Sequence, residues 1–179
     1  MEAKSIYNLL ESCKKGDRVA QKKLYDFLAP RMFPVCLRYC GADRQMAEDI
    51  LQDGFVTLFS KLSTFKGEGS FEGWARRVFV NTALMELRRK DALKFSEDLE
   101  GLKWSESQEP SVIEQIGYKE LMDLLAEMPA GFRTVFNMYI VEGYSHKEIA
   151  EKLGIEEVSS RSQLNRARIF LQERIKSMK

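Results

Sequence analysis

The sequence predicts an all-α protein made of two small helical domains joined by a flexible acidic linker. Three observations predict it. Apolar residues recur at helical spacing along most of the chain, and strand-like alternation is nearly absent. Residues 91–111 lose that pattern and read "DALKFSEDLEGLKWSESQEPS", an acidic stretch with Ser, Gly and Pro. Charge is also unevenly spread: residues 1–94 carry a net +5, residues 95–127 a net −7 and residues 128–179 a net +3, within a chain whose total is only +1. The first domain is expected over residues 5–91, the linker over 92–112 and the second domain over 113–177.

Taken in order, "RVAQKKLYDFLA" (18–29) places Val19, Leu24, Phe27 and Leu28 at helical spacing. Pro30 and Pro34 should then interrupt or kink the run before "VCLRYC", because proline lacks the N–H a helix interior needs. "DRQMAEDILQDGFVTLFSKL" predicts a long amphipathic helix with Met46, Ile50, Phe55, Leu58 and Leu62 inward. The glycines of "TFKGEGS" end it, and "FEGWARRVFVNTALMELRRK" predicts another helix. Periodicity returns after the linker with "VIEQIGYKELMDLLAEM" and "FRTVFNMYIVEG".

The stretch "GYSHKEIAEKLGIEEVSSRSQLNRARIFL" is the most specific locally. Ser145 with Glu148 three residues on forms a capping box. Tyr144 and Ile149 stand where a hydrophobic staple would form, and Ala150 is small where a second helix must pass close. Gly154 suits a left-handed C-cap. Ile149, Leu153, Ile155 and Leu164 supply an apolar seam, which is helix-turn-helix spacing.

Composition excludes several classes. The hydrophobic share of 44% suits a globular chain, and no apolar run approaches the roughly 18 residues that span a bilayer. The N-terminus has acidic residues and no long apolar core, so a secretory signal is not expected and the chain should stay in the cytoplasm without membrane insertion. Three cysteines do not make a disulfide framework, and with one histidine a zinc site would lack ligands; buried, reduced thiols are expected. There is no His-based catalytic pair, no Gly-rich phosphate loop after a strand and no Walker-type lysine, so neither an enzyme nor a cofactor or metal protein is indicated.

What remains is binding. Ser159, Ser160, Arg161, Ser162, Gln163, Asn165, Arg166 and Arg168 are small donors and long cations, the types that reach phosphates and base edges of a duplex. A plain αα-hairpin in a bundle would not need them together. Glu156 and Glu157 favour the helix N-terminus but bring negative charge towards DNA. In the first domain, Asp49 and Asp53 lie four apart with Gln52 beside them, either a solvated acidic face or a docking surface for a basic partner. Gly54 costs that helix about 1 kcal/mol relative to alanine. Arg76, Arg77, Arg88, Arg89 and Lys90 interleave with Phe71, Trp74 and Phe79. Aromatics beside cations suit unpaired bases, although Trp74 also fits a core role. Asn81 can hydrogen-bond a base edge or cap a buried backbone group.

At these residues the sequence resembles the extracytoplasmic-function group of sigma-70-type RNA polymerase sigma factors. The blocks that carry the resemblance are "AEDILQDGFVTLFSKLSTFKGEGSFEGWARRVFVNTALMELRRK" and "MPAGFRTVFNMYIVEGYSHKEIAEKLGIEEVSSRSQLNRAR", in that order and at that separation. The resemblance implies that Asp49, Gln52, Asp53 and Phe55 grip the clamp coiled coil of the polymerase's largest subunit. It implies that Lys66, Ser70, Phe71, Arg76, Arg77 and Asn81 capture the unpaired −10 strand. Ser159, Ser160, Arg161, Ser162, Gln163, Asn165 and Arg166 would then read the −35 duplex. Core RNA polymerase and promoter DNA are the implied partners, with an anti-sigma factor as a further one, and the linker would run near the RNA exit path. Val158 stands where relatives often have glycine, Ser160 where many have valine and Gln163 in place of a frequent arginine, which bears on the −35 preference rather than the fold. No third helical domain is expected. The rivals are a stand-alone helix-turn-helix regulator, which leaves residues 43–90 without a job, and a protein-only helical adaptor, which has no need of a clustered basic helix.

Overall fold

The computed structural model describes residues 3–89 and 117–177, which fall in two compact units. The expected linker, residues 92–112, lies outside the described residues, as do Lys90 and the first residues expected of the second domain.

The first unit is four helices: α1 (Ala3–Lys14), α2 (Arg18–Cys40), α3 (Arg44–Lys61) and α4 (Phe71–Arg89). Short polar residues start the middle two. Asp17 accepts from Val19 N–H at 2.8 Å and from Ala20 N–H at 3.3 Å, and Asp43 accepts from Met46 N–H at 3.0 Å. Gly41 ends α2 in the left-handed conformation. α2, α3 and α4 pack mutually, and α1 lies on α2. Leu24, Leu28, Ile50, Leu58, Phe79 and Leu87 meet in the core, each burial stabilising by roughly 1.5–3 kcal/mol. The residues expected inward on α3, namely Met46, Ile50, Phe55, Leu58 and Leu62, are all buried.

Of the two alternatives expected at the prolines of α2, an interruption or a kink, the interruption is absent. The helix runs unbroken through Pro30 and Pro34. A proline inside a helix costs about 3 kcal/mol, yet Leu28, Met32, Val35, Cys36 and Tyr39 along the same rod are buried, and that packing outweighs the local loss. Val19 is 64% exposed in the first turn, before the buried face of α2 is established at Ala20 and Leu24.

The second unit comprises α5 (Tyr118–Glu127), α6 (Ala130–Phe136), a π-helical turn (Asn137–Val141), α7 (His146–Leu153) and α8 (Glu157–Ser177). The run "FRTVFNMYIVEG" is thus not one regular helix: its last part widens into the π turn. Buried Arg133 donates to the carbonyls of Leu125 and Met128, the latter at 2.7 Å, and so satisfies the end of α5. α8 packs on α6 and α7. The capping box is present, with Ser145 N–H donating to Glu148 Oε2 at 2.8 Å and Glu148 N–H to Ser145 Oγ at 3.3 Å. Gly154 has φ 69° and its N–H donates to the Ala150 carbonyl, so the turn between α7 and α8 forms as its sequence predicts. Among the described residues no helix is long and apolar enough to cross a membrane.

Candidate nucleic-acid and polymerase interface

Three faces emerge, each on a helix whose opposite side is core. On α3, Asp49, Gln52 and Asp53 are exposed and share a stripe with Val56, which is 70% exposed. Phe55, expected in the same set, is turned inward. Its ring lies 4.3 Å from that of Tyr25 and meets Phe79 edge-on at 5.1 Å, so it supports the stripe from beneath. The stripe borders the end of α4: Arg89 is held above its ordinary pKa first by its bonds to Glu86, with Asp53 adding to the effect.

The second face joins α4 to the loop before it. Arg77 and Asn81 are exposed one turn apart, followed by Met85 and Arg88 on the same side, and Arg76 is half-buried beside them. Lys66 and Ser70 are exposed on the loop. Ser70 also starts the helix, its hydroxyl accepting from Gly73 N–H at 3.3 Å. Phe71 is buried, and its ring packs with Phe65 at 5.3 Å and Trp74 at 5.7 Å. Trp74 is half-buried in that cluster.

The third face is the outer side of α8. Arg161 is exposed, and Ser159, Ser162, Asn165 and Arg166 are half-buried around it. Arg161 and Asn165 share one side of the helix, and Ser159, Ser162 and Arg166 lie along the adjoining side. Arg168, expected with them among the duplex-reaching residues although not among the −35 contacts implied by the resemblance, completes the stripe at i, i+4, i+7 with Arg161 and Asn165. Ser160 and Gln163 point the other way and are buried, so neither side chain faces outward. Ser160 Oγ instead lies 3.0 Å from His146 Nδ1, across the α7–α8 seam. His146 also stacks on Tyr139 of the π turn, with ring centroids 4.4 Å apart. Burial first, and then the nearby Arg161 and Arg168, lower its pKa, while Glu157 opposes them. Arg161 is ion-paired with Glu157 one turn earlier, and Arg166 lies 6.0 Å over the Phe132 ring.

Cys13, Cys36 and Cys40 are buried and in no disulfide, and burial with the neighbouring Cys40 pushes the Cys36 thiol up to about 12, far from a nucleophilic thiolate.

Comparison with known proteins agrees with this arrangement. The family model described as Sigma-70 region 2 matches residues 24–93, and that described as Sigma-70, region 4 matches residues 118–171. The ECF RNA polymerase sigma factor SigE of Mycolicibacterium smegmatis is 28% identical over 166 residues, covering 88% of this chain and 63% of that protein. The RNA polymerase sigma-H factor of Pseudomonas aeruginosa is 27% identical over 171 residues, covering 89% of this chain and 88% of the relative. The sigma factor RpoE of Bartonella quintana, solved with the anti-sigma factor NepR, shares the fold with a TM-score of 0.53 at 19% identity, over 87% of this chain and 96% of that one. Matched in both of its units by models of one family, the chain belongs to the sigma-70 family of RNA polymerase sigma factors, in its extracytoplasmic-function group, and is a factor that directs promoter recognition and transcription initiation with core polymerase.

Proposed function

We propose that promoter recognition is divided among the three faces. The α3 stripe of Asp49, Gln52 and Asp53 docks on a basic surface of core polymerase, with Phe55 holding it in place from below. Like charges one helical turn apart disfavour the free helix slightly and gain from a cationic partner. Lys66, Ser70, Arg76, Arg77 and Asn81 engage the unpaired −10 strand, over the platform made by Phe71. Cations track the backbone there, and the Asn81 amide offers both a donor and an acceptor to a base edge. Ser159, Arg161, Ser162, Asn165 and Arg166 read the −35 duplex, with Ser160 and Gln163 holding α8 from its inner side. Residues 5–91 and 113–177 act as the two DNA-binding domains, and 92–112 tether them.

The observation that carries this reading is the stripe of Arg161, Asn165 and Arg168 on the helix that follows a capped, glycine-turned partner helix. The protein makes no bond itself, needs no cofactor and works in the cytoplasm beside the polymerase. An anti-sigma factor, such as the one bound to the Bartonella relative, would act by covering these faces. Reversing the docking stripe tests the first assignment. Asp49→Lys with Asp53→Lys should abolish co-purification with core polymerase while circular dichroism stays unchanged. Full recovery of the complex would reduce the stripe to a solvated surface.

A further inference from the structure

The loop that joins the α3 side of the first unit to α4 turns on two glycines. Gly67 and Gly69 both lie at positive φ, 82° and 77°, within five residues, and glycine there loses more freedom on ordering than any other residue. Its two ends are anchored by Phe65 and Phe71, both buried and packed edge-to-face, with Trp74 against each. Between those anchors the loop is reached from a distant part of the chain. Tyr7 of α1 donates from its hydroxyl to the Gly67 carbonyl at 3.1 Å, and its ring stacks on Phe65 with centroids 6.5 Å apart and planes 18° from parallel. The Gly67 backbone lies so near this ring that a side chain there would start 3.4 Å from Tyr7 Cε1. Tyr7 is 43% exposed, so this residue contributes little to core burial compared with Leu10 and Cys13 on the same helix.

We propose that Tyr7 is a positioning residue for recognition of the unpaired strand, with α1 serving as a strut that sets the path of the 66–70 loop. The inference rests on the −10 reading of that loop and of Asn81. The hydroxyl fixes the Gly67 carbonyl, and with it the backbone that carries Lys66 on one side and Ser70 on the other. Phe65 couples the strut to the aromatic platform under α4. A loop so held meets the single strand already ordered, so binding loses less conformational entropy and discriminates bases by geometry. Without the hydroxyl bond the ring stack survives, and the loop keeps its ends but loses its middle.

Tyr7→Phe isolates that bond. Holoenzyme formed with core polymerase would be used to select from a randomised single-stranded DNA oligonucleotide library and, separately, from a randomised duplex library. Asn81→Ala serves as the control for the −10 reading. The strut predicts that Tyr7→Phe lowers the preference at one or two selected single-strand positions by about three- to tenfold, the range of one neutral hydrogen bond. Duplex selection, core binding and thermal unfolding should stay as in the parent. If Asn81→Ala flattens the single-strand preference and Tyr7→Phe leaves it intact, the strut is overturned while the −10 reading stands. A parallel fall in unfolding temperature, core binding and duplex selection would make Tyr7 merely structural and also overturn it. If neither variant alters single-strand selection, the −10 reading fails and the strut with it.

Discussion

Gly54 looks like a defect in the middle of α3, since glycine costs a helix about 1 kcal/mol relative to alanine. The structure supplies its reason: a Cβ at this buried position would overlap the edge of the Phe79 ring from α4. Gly54 is therefore what lets α3 and α4 approach closely. On the same helix, Asp53 lies near enough to Arg89 at the basic end of α4 to act on its charge. Gly54→Ala should destabilise the protein by about 1–3 kcal/mol, the range for overpacking, despite alanine's better propensity. Urea unfolding measures this; a gain in stability would mean that Phe79 yields freely and that the close approach is not required. Pairing Gly54→Ala with Phe79→Leu should recover part of the loss, since both changes act at one contact.

At the scale of elements, α8 matters most, and its charges are not idle in the free protein. Arg161 is held by Glu157, so binding a phosphate or base edge must exchange one partner for another. Glu157→Gln should release Arg161 and strengthen promoter binding by up to about fivefold, matching the ~1 kcal/mol ceiling of an exposed pair. It should also cost about 0.3–1 kcal/mol of stability by removing an acid from the first turn of α8. Weaker binding in a fluorescence titration would mean that the ion pair orients Arg161 for DNA instead of competing for it. The seam behind α8 carries the chain's one histidine. In the folded state its pKa lies below the ordinary 6.5, so the unfolded chain binds more protons in between. His146 thus contributes stability that is fully present above about pH 6.5 and is lost as pH falls through the folded value. His146→Gln should flatten the pH dependence of unfolding over that window; an unchanged slope would place the titration elsewhere. Ser145, Glu148 and Gly154 were legible in the sequence because capping and a left-handed turn are decided by neighbours within a few residues. The burial of Phe55 was legible too, from its helical spacing with Met46, Ile50 and Leu58, whereas the inward turn of Gln163 was not. Which side of a helix faces its partner depends on packing: Ser160 already read as a polar residue weakening the apolar seam as well as a DNA contact, while polar Gln163 in a basic helix read as outward until the buried face of α8 is seen. At Pro30 and Pro34 local propensity left open a break or a kink, and the core of the first unit decided against the break.

For the whole molecule, the net charge of +1 conceals basic blocks on either side of an acidic connector, and both described units place cations on an outward face. The order of these blocks along the chain was readable from composition. The roles of the faces became readable through the resemblance and the matching family models. Promoter-directed transcription with purified core polymerase tests the sigma-factor assignment most directly. Core polymerase free of any other sigma factor, supplied with this protein and a library of genomic promoters, should start transcripts at discrete sites that share paired −35 and −10 elements. The Asp49→Lys, Asp53→Lys protein should support none. Transcription no higher than with core alone, or discrete starts that survive loss of the docking stripe, would contradict the assignment of the three faces.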